Sequence, residues 1–169
     1  MVSLVVVTPT YNERENLPVL AEKIFALRIA ELAMIVVDDN SPDGTGAVAD
    51  ALAKKYPIRV IHRAKKEGLG SAYQEGFEKA LEQAPDFVIQ MDADMSHDPA
   101  AIPRMIAEAE SADLVIGSRY VHGGTIENWH WARRLISRLG NAYARTLLGA
   151  PYRDMTSGFK CWRGESLGR

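Results

Sequence analysis

The sequence is 169 residues long, 47% hydrophobic and 25% charged, the profile of one soluble globular domain with enough chain to bury a core. The single cysteine, Cys161, excludes an internal disulfide and cysteine-paired zinc sites, and fits a reducing compartment. No run of 18 apolar residues occurs, so no bilayer-spanning helix is expected, and the net charge of −2 is unremarkable in sum.

The chain opens with "MVSLVVVTPTYNE", which lacks a basic leader and a small-residue cleavage site, so 4–7 is expected to be a first strand and not a signal peptide. A helical pattern follows over 16–28, with Asn16 as its expected cap and Pro18 in its first turn. A second strand, 34–37, runs into "DDNSPDGT", where Ser41-Pro42-Asp43-Gly44 is a turn sequence. Asp38 and Asp39 either begin that turn or offer a carboxylate to a nucleobase imino group or a ribose hydroxyl. Next come a helix over 45–55, a strand over 58–61, a helix over 69–83 and a strand over 87–91. Asp98 and Pro99 then open a helix over 99–110, as cap and first helical residue, and a fifth strand, 114–116, leads into "GSRY". This alternation implies an α/β fold with a mostly parallel sheet covered by helices on both faces. In such sheets ligands bind outside the carboxyl ends of the strands, and four of the five expected ends carry polar, acidic or turn-forming residues.

Several chemistries lack their signatures. Gly68-Leu69-Gly70 begins like a dinucleotide fingerprint, but Tyr73 stands at the third glycine position, and no GxxxxGK[ST] phosphate loop occurs. His62, His97, His122 and His130 show no zinc-ligand spacing, and there is no G-x-S-x-G elbow. What remains is Asp92-Ala93-Asp94, directly after the apolar run 87–91. In an extended segment residues i and i+2 face one side, so both carboxylates can meet one ion. Hard oxygen ligands of this kind suit Mg²⁺ or Mn²⁺ shared with a substrate's phosphates.

Charge is unevenly spread. Residues 1–128 carry 12 Lys and Arg against 20 Asp and Glu, whereas residues 129–169 carry 8 against 2. In the basic stretch "WHWARRLISRLGNAYARTLLG", Arg133 and Ser137 are four apart and would share a helix face able to grip a phosphate. Trp129 and Trp131 beside arginines also suit an anionic membrane interface, and an amphipathic helix packed on the sheet is the plainer alternative.

Taken together, "PTYNERENLP", "VVDDNSPDGT", "GLGSAYQEGF", "MDADMSHDP", "GSRY" and "NWHWARRLISRLGNAYAR…DMTSGFK" resemble the dolichol-phosphate (polyprenol-phosphate) mannosyltransferases, family-2 glycosyltransferases with a nucleotide-diphospho-sugar-binding GT-A, Rossmann-like fold. The match runs in order across nearly all of the chain. The resemblance implies one catalytic domain over 1–169, and relatives continue beyond the "SGF" motif, so a truncated C-terminus is expected. It implies donor contacts from Pro9, Tyr11, Glu13, Val37, Asp39, Asp92, Ala93, Asp94 and Arg119, with Asp92 and Asp94 on the metal. Asp94 and Arg119 would be the catalytic pair. Arg119, Arg133 and Ser137 would meet the acceptor phosphate. Some relatives have a metal-holding Gln where Ser96 stands, so a serine or a water would substitute here.

The implied reaction is an inverting transfer of mannose from GDP-mannose to a polyprenyl phosphate, dependent on Mg²⁺ or Mn²⁺. Neither the acidic "ED" base nor the Q-x-x-R-W string of hydroxyl-glycosylating relatives occurs. A lipid monophosphate is already anionic and needs positioning, not a base. The expected setting is peripheral, on the cytoplasmic face of a membrane, with room for a membrane-anchoring partner and none for nucleic acid. Rival readings are a UDP-glucose donor on the same scaffold and a non-catalytic nucleotide-sugar-binding fragment. A nucleotidyltransferase would need a glycine-rich basic loop where "PTYNE" stands.

Overall fold

The computed structural model describes residues 2–118 and 157–168. Five strands appear where the apolar runs predict them: β1 (Ser3–Thr10), β2 (Glu31–Asp38), β3 (Ile58–His62), β4 (Phe87–Gln90) and β5 (Leu114–Ile116). The helices α1 (Asn16–Phe25), α2 (Thr45–Ala53), α3 (Leu69–Leu81) and α4 (Ile102–Ala109) also match, each one to three residues shorter at its C-terminal end than the pattern suggests. Two elements were not expected: a sixth strand, β6 (Lys160–Arg163), and a one-turn helix, α5 (Gly164–Leu167).

The sheet order is β3-β2-β1-β4-β6-β5. The first four strands are mutually parallel, and β6 inserts antiparallel between β4 and β5. Alternation within β1 decides the layering. Leu4 and Val6 join α1, α2 and α4 in one core through Leu17, Leu20, Ile24, Ala49, Ile102 and Met105. Val5 and Val7 join α3 in the other, with Ala72, Tyr73 and Ala80. Helices thus cover both faces, as parallel strands require.

One helix start differs from expectation and one agrees. Asn16 does not cap α1: it is the first helical residue, its side-chain amide donates to Glu13 Oε2 at 2.8 Å, and no side chain caps the helix. The turn before it makes a cap unnecessary, because Leu17 N–H already donates to Glu13 O at 2.9 Å. Asp98 accepts from Ala100 N–H, and Pro99 opens a 3-10 turn that runs into α4.

The chain proceeds from β1 outward to β2 and β3, then returns to place β4 on the other side of β1. The carboxyl ends of β1 and β4 therefore flank the switch point of the sheet, where the diverging connections leave a crevice.

Candidate donor and cation site

A cleft of about 250 Å³ lies over that switch point. Pro9 lines it from the end of β1, Tyr11 and Glu13 from the loop that follows, Asp39 from just past the end of β2, and Asp92, Ala93 and Asp94 from the loop after β4. Seven of the residues expected to contact a nucleotide donor are thus brought together. Val37 is not among the lining residues: its side chain is fully buried in the core beneath α3. Arg119, Arg133, Ser137, Trp129 and Trp131 lie outside the described residues.

The walls of the cleft are tied together by their own polar side chains. Thr45 Oγ1 accepts from Glu13 N–H at 2.9 Å, Ser41 Oγ from Asn12 N–H at 3.1 Å, and Asp43 from Arg14 N–H at 3.2 Å. These bonds hold the "TYNER" loop against the "DDNSPDGT" loop. Thr45 and its backbone N–H, with Arg14 N–H, also hold the Asp43 carboxyl below the usual carboxylate range against the opposing pull of burial.

The neighbouring aspartates at the end of β2 divide into two roles. Asp38 serves the turn, accepting from Ser41 N–H, Ser41 Oγ and Thr10 Oγ1. Asp39 faces the cleft, yet its carboxylate is fully engaged from below. Arg63 Nη1 donates to Oδ1 at 2.8 Å, Glu67 N–H donates to Oδ1 at 2.9 Å and Gly68 N–H to Oδ2 at 2.8 Å. Burial pushes the Asp39 carboxyl up, but the two backbone donors and the Arg63 guanidinium outweigh it and hold the group below its ordinary value.

Residues of the loop after β3 and the start of α3 escaped the sequence reading. Lys66, Gly68, Leu69 and Ala72 line the cleft, and the Lys66 ammonium stands 3.5 Å over the Tyr11 ring. Gly68 has φ +95°, a conformation that an L side chain would strain, and it aims its N–H at Asp39 as α3 begins. Gly68 and Leu69, from the string that failed as a dinucleotide fingerprint, therefore form part of the wall of this cleft. The signal was the adjoining charged string "HRAKKEG", which reads as a solvated connection until Arg63 is seen 7% exposed beneath Asp39.

Asp92 and Asp94 sit in a turn that leaves β4. Met95 takes φ +61°, at a cost of about 1 kcal/mol for a non-glycine residue. The turn brings Ser96 N–H onto Asp94 Oδ1 at 3.0 Å. Asp92 is half-buried and Asp94 exposed. Asp92 Oδ1 accepts the Tyr73 hydroxyl at 2.6 Å, and Asp92 N–H donates to His97 Nδ1 at 3.3 Å. Burial pushes the Tyr73 phenol well above its usual range, with further help from the charge of Asp92, the hydrogen bond to it and the charge of Asp94, so it stays a neutral donor.

A divalent cation is what the donor set fits. Both carboxylates line one cleft, and among the described residues no Lys or Arg forms an ion pair with either. Two uncompensated carboxylates side by side repel, and a hard cation shared with a ligand's phosphates relieves that repulsion. Among the described residues no group of three or more His, Cys, Asp and Glu gathers around one point, so these two carboxylates would supply the protein's share.

The chain is 46% identical over 165 residues to a polyprenol monophosphomannose synthase of Mycolicibacterium smegmatis, covering 96% of this chain and 62% of that protein. It is 44% identical to an undecaprenyl-phosphate mannosyltransferase of Micrococcus luteus, over 95% of this chain and 66% of that one. It is also 44% identical to a dolichol-phosphate mannosyltransferase of Pyrococcus furiosus, over 95% and 46%. The chain thus spans between about half and just under two thirds of the length of these relatives.

Among solved structures, the fold matches glucosyl-3-phosphoglycerate synthase of Mycobacterium tuberculosis with a TM-score of 0.69 at 23% identity, over 96% of this chain and 57% of that one. A mannosyltransferase of Pyrobaculum calidifontis, solved with GDP-Man and Mn²⁺, matches with a TM-score of 0.52 at 22% identity, over 65% of this chain and 33% of that one. The model of glycosyl transferase family 2 matches residues 5–167. A mostly parallel sheet with its polar cleft at the switch point, and a family match along nearly the whole chain, lead to one assignment: the chain belongs to glycosyl transferase family 2.

Proposed function

We propose that this chain carries the donor half of an inverting, metal-dependent mannosyltransferase that moves mannose from GDP-mannose to a polyprenyl monophosphate. The observation that carries the reading is the convergence of Asp92 and Asp94, without a cationic partner among the described residues, on the cleft lined by Tyr11, Glu13 and Asp39. The names of three relatives at 44–46% identity support the sugar and the lipid class.

In this reading the nucleoside lies between the loop after β1 and Asp39, with Pro9, Tyr11 and Glu13 on one side. Val37 contributes as the buried strand residue that sets the height of Asp39. Asp92 and Asp94 would hold Mg²⁺ or Mn²⁺, which would supply charge stabilisation for a departing nucleoside diphosphate. Ala93, 2% exposed, keeps the floor between the two carboxylates small enough for a diphosphate to approach. Lys66 is the described cation in the cleft wall, free to leave the face of Tyr11 when an anion arrives.

Arg119, Arg133 and Ser137 are assigned to the acceptor phosphate, where donors orient an oxygen that is already charged. Because that oxygen needs no general base, Asp94 and Arg119 act by charge and placement. The basic balance of residues 129–169 suits the anionic surface of a membrane, and peripheral attachment at its cytoplasmic face follows from where such donors and lipids meet. Among the described residues no helix is long and apolar enough to cross a membrane.

Transfer of labelled mannose from GDP-mannose to polyprenyl phosphate in detergent, with Mn²⁺, tests the reading. Formation of a mannosyl-phosphoryl lipid is the expected result. Labelled lipid from UDP-glucose but not from GDP-mannose would reassign the donor. Metal-dependent nucleotide binding without product from any donor would leave a binding fragment.

A further inference from the structure

Asp92 is held from three sides by residues that do not line the cleft themselves. The Tyr73 hydroxyl donates to Oδ1 at 2.6 Å. On the other oxygen, a Cβ placed on Gly158 would fall 2.5 Å from Asp92 Oδ2, so only glycine lets the backbone close against it. His97 Nδ1 takes the Asp92 N–H. Tyr73, His97 and Gly158 are all absent from the cleft wall, so their effect on a ligand must pass through Asp92.

The clamp is anchored deep in the fold. Tyr73 stacks on Phe77 at 5.7 Å, and Phe77 meets Trp162 of β6 edge-on at 6.5 Å. The Ser157-Gly158-Phe159 segment bridges Gly117, Asp92 and His97. Ser157 Oγ donates to Gly117 O at 2.7 Å, Gly158 backs Asp92, and Phe159 stacks on His97 at 5.1 Å. The "SGF" motif, which the donor site does not otherwise use, thus locks the end of β5 and the turn after β4 together.

The chemistry of the Tyr73 contact is informative. A carboxylate's terminal torsion is broad, so a free Asp92 would swing away from the like charge of Asp94. A lysine or arginine at this place would hold the carboxylate but cancel the charge a cation needs. A phenol holds one oxygen by a short, charge-assisted bond and adds no positive charge.

We propose that Tyr73 is a positioning residue for the divalent cation, presetting the Asp92 carboxylate with Gly158 as the backstop on its second oxygen. This rests on the reading of Asp92 and Asp94 as the cation site. The test is a Mn²⁺ titration followed by electron paramagnetic resonance with GDP present, for the unsubstituted chain, Tyr73→Phe and Gly158→Ala, beside metal-free GDP affinity and a thermal melt. In both variants the Mn²⁺ concentration for half-saturation should rise about tenfold or more, with metal-free GDP affinity within about twofold of the unsubstituted chain, the resolution of such a titration.

If the unsubstituted chain shows no GDP-linked Mn²⁺ binding, the cation-site reading itself fails. If it binds Mn²⁺ and a folded Tyr73→Phe needs no more of it, the positioning role is overturned. Should Tyr73→Phe fail to melt cooperatively, Gly158→Ala decides the matter by the same criterion. Parallel loss of Mn²⁺ and metal-free GDP affinity would show a merely structural role and equally overturn the proposal.

Discussion

Asp39 illustrates how one residue's surroundings set both stability and site. Its side chain and that of Arg63 are 5% and 7% exposed, and Arg63 also meets Glu67, Glu75 and Ser71. A carboxylate so held leaves two backbone N–H groups and a buried guanidinium short of an acceptor when it is removed. Asp39→Asn should therefore cost on the order of 2 kcal/mol at neutral pH in a denaturant titration. The folded-state value lies below the ordinary 3.8, so this stabilisation is complete above that pH and lost as pH falls through the folded-state value. The gap between the two chains should narrow in acid below pH 3.8; a gap constant down to pH 2 would contradict the assignment. Cys161, by contrast, has its thiol pushed up to about 12 by burial and serves as a small core residue of β6, between β4 and β5.

At the scale of elements, what decides the cleft is how closely α3 approaches the sheet. Gly76 permits it, because a Cβ there would collide with Val7 and stand 3.2 Å from Val37. Gly76→Ala should lift α3 from β1 and β2 and destabilise the fold by about 1–3 kcal/mol, and it should weaken GDP binding because Gly68 and Leu69 move with the helix. A stability loss under about 0.3 kcal/mol, within ordinary surface-substitution scatter, would mean that the sheet yields freely instead.

The same scale shows what the sequence could reveal. The parallel strands were legible because β1, β2 and β4 are built on continuous apolar runs and β3 on a short one broken only by Arg59, and the start of α4 because Asp98-Pro99 is a purely local signal. β6 was not, since "KCWR" is four residues long with charges at both ends, and its partners β4 and β5 lie 40 residues or more away in the chain. Asp92 and Asp94 announced themselves by chemistry. Tyr73 and Gly158 could not, because their meaning lies in contacts to Asp92 across 19 residues in one case and 66 in the other.

Across the whole molecule, charge is partitioned as the proposed transfer would require. Residues 1–128 carry 12 Lys and Arg against 20 Asp and Glu, and the basic balance falls in residues 129–169. If Arg133 serves the acceptor, Arg133→Ala should leave GDP and Mn²⁺ binding intact and reduce transfer to polyprenyl phosphate about tenfold or more, the worth of a charge-assisted hydrogen bond. Equal loss of donor binding and transfer would place Arg133 on the donor side.

In the proposed function, Asp92 and Asp94 join a divalent cation to a guanine nucleoside diphosphate in the cleft at the switch point. Calorimetric titration of the chain with GDP and with UDP, each with and without Mn²⁺, and of Asp94→Asn in parallel, tests it most directly. GDP binding should strengthen with Mn²⁺, exceed that of UDP, and lose its Mn²⁺ dependence in Asp94→Asn. GDP binding indifferent to Mn²⁺, or identical in Asp94→Asn, would contradict it.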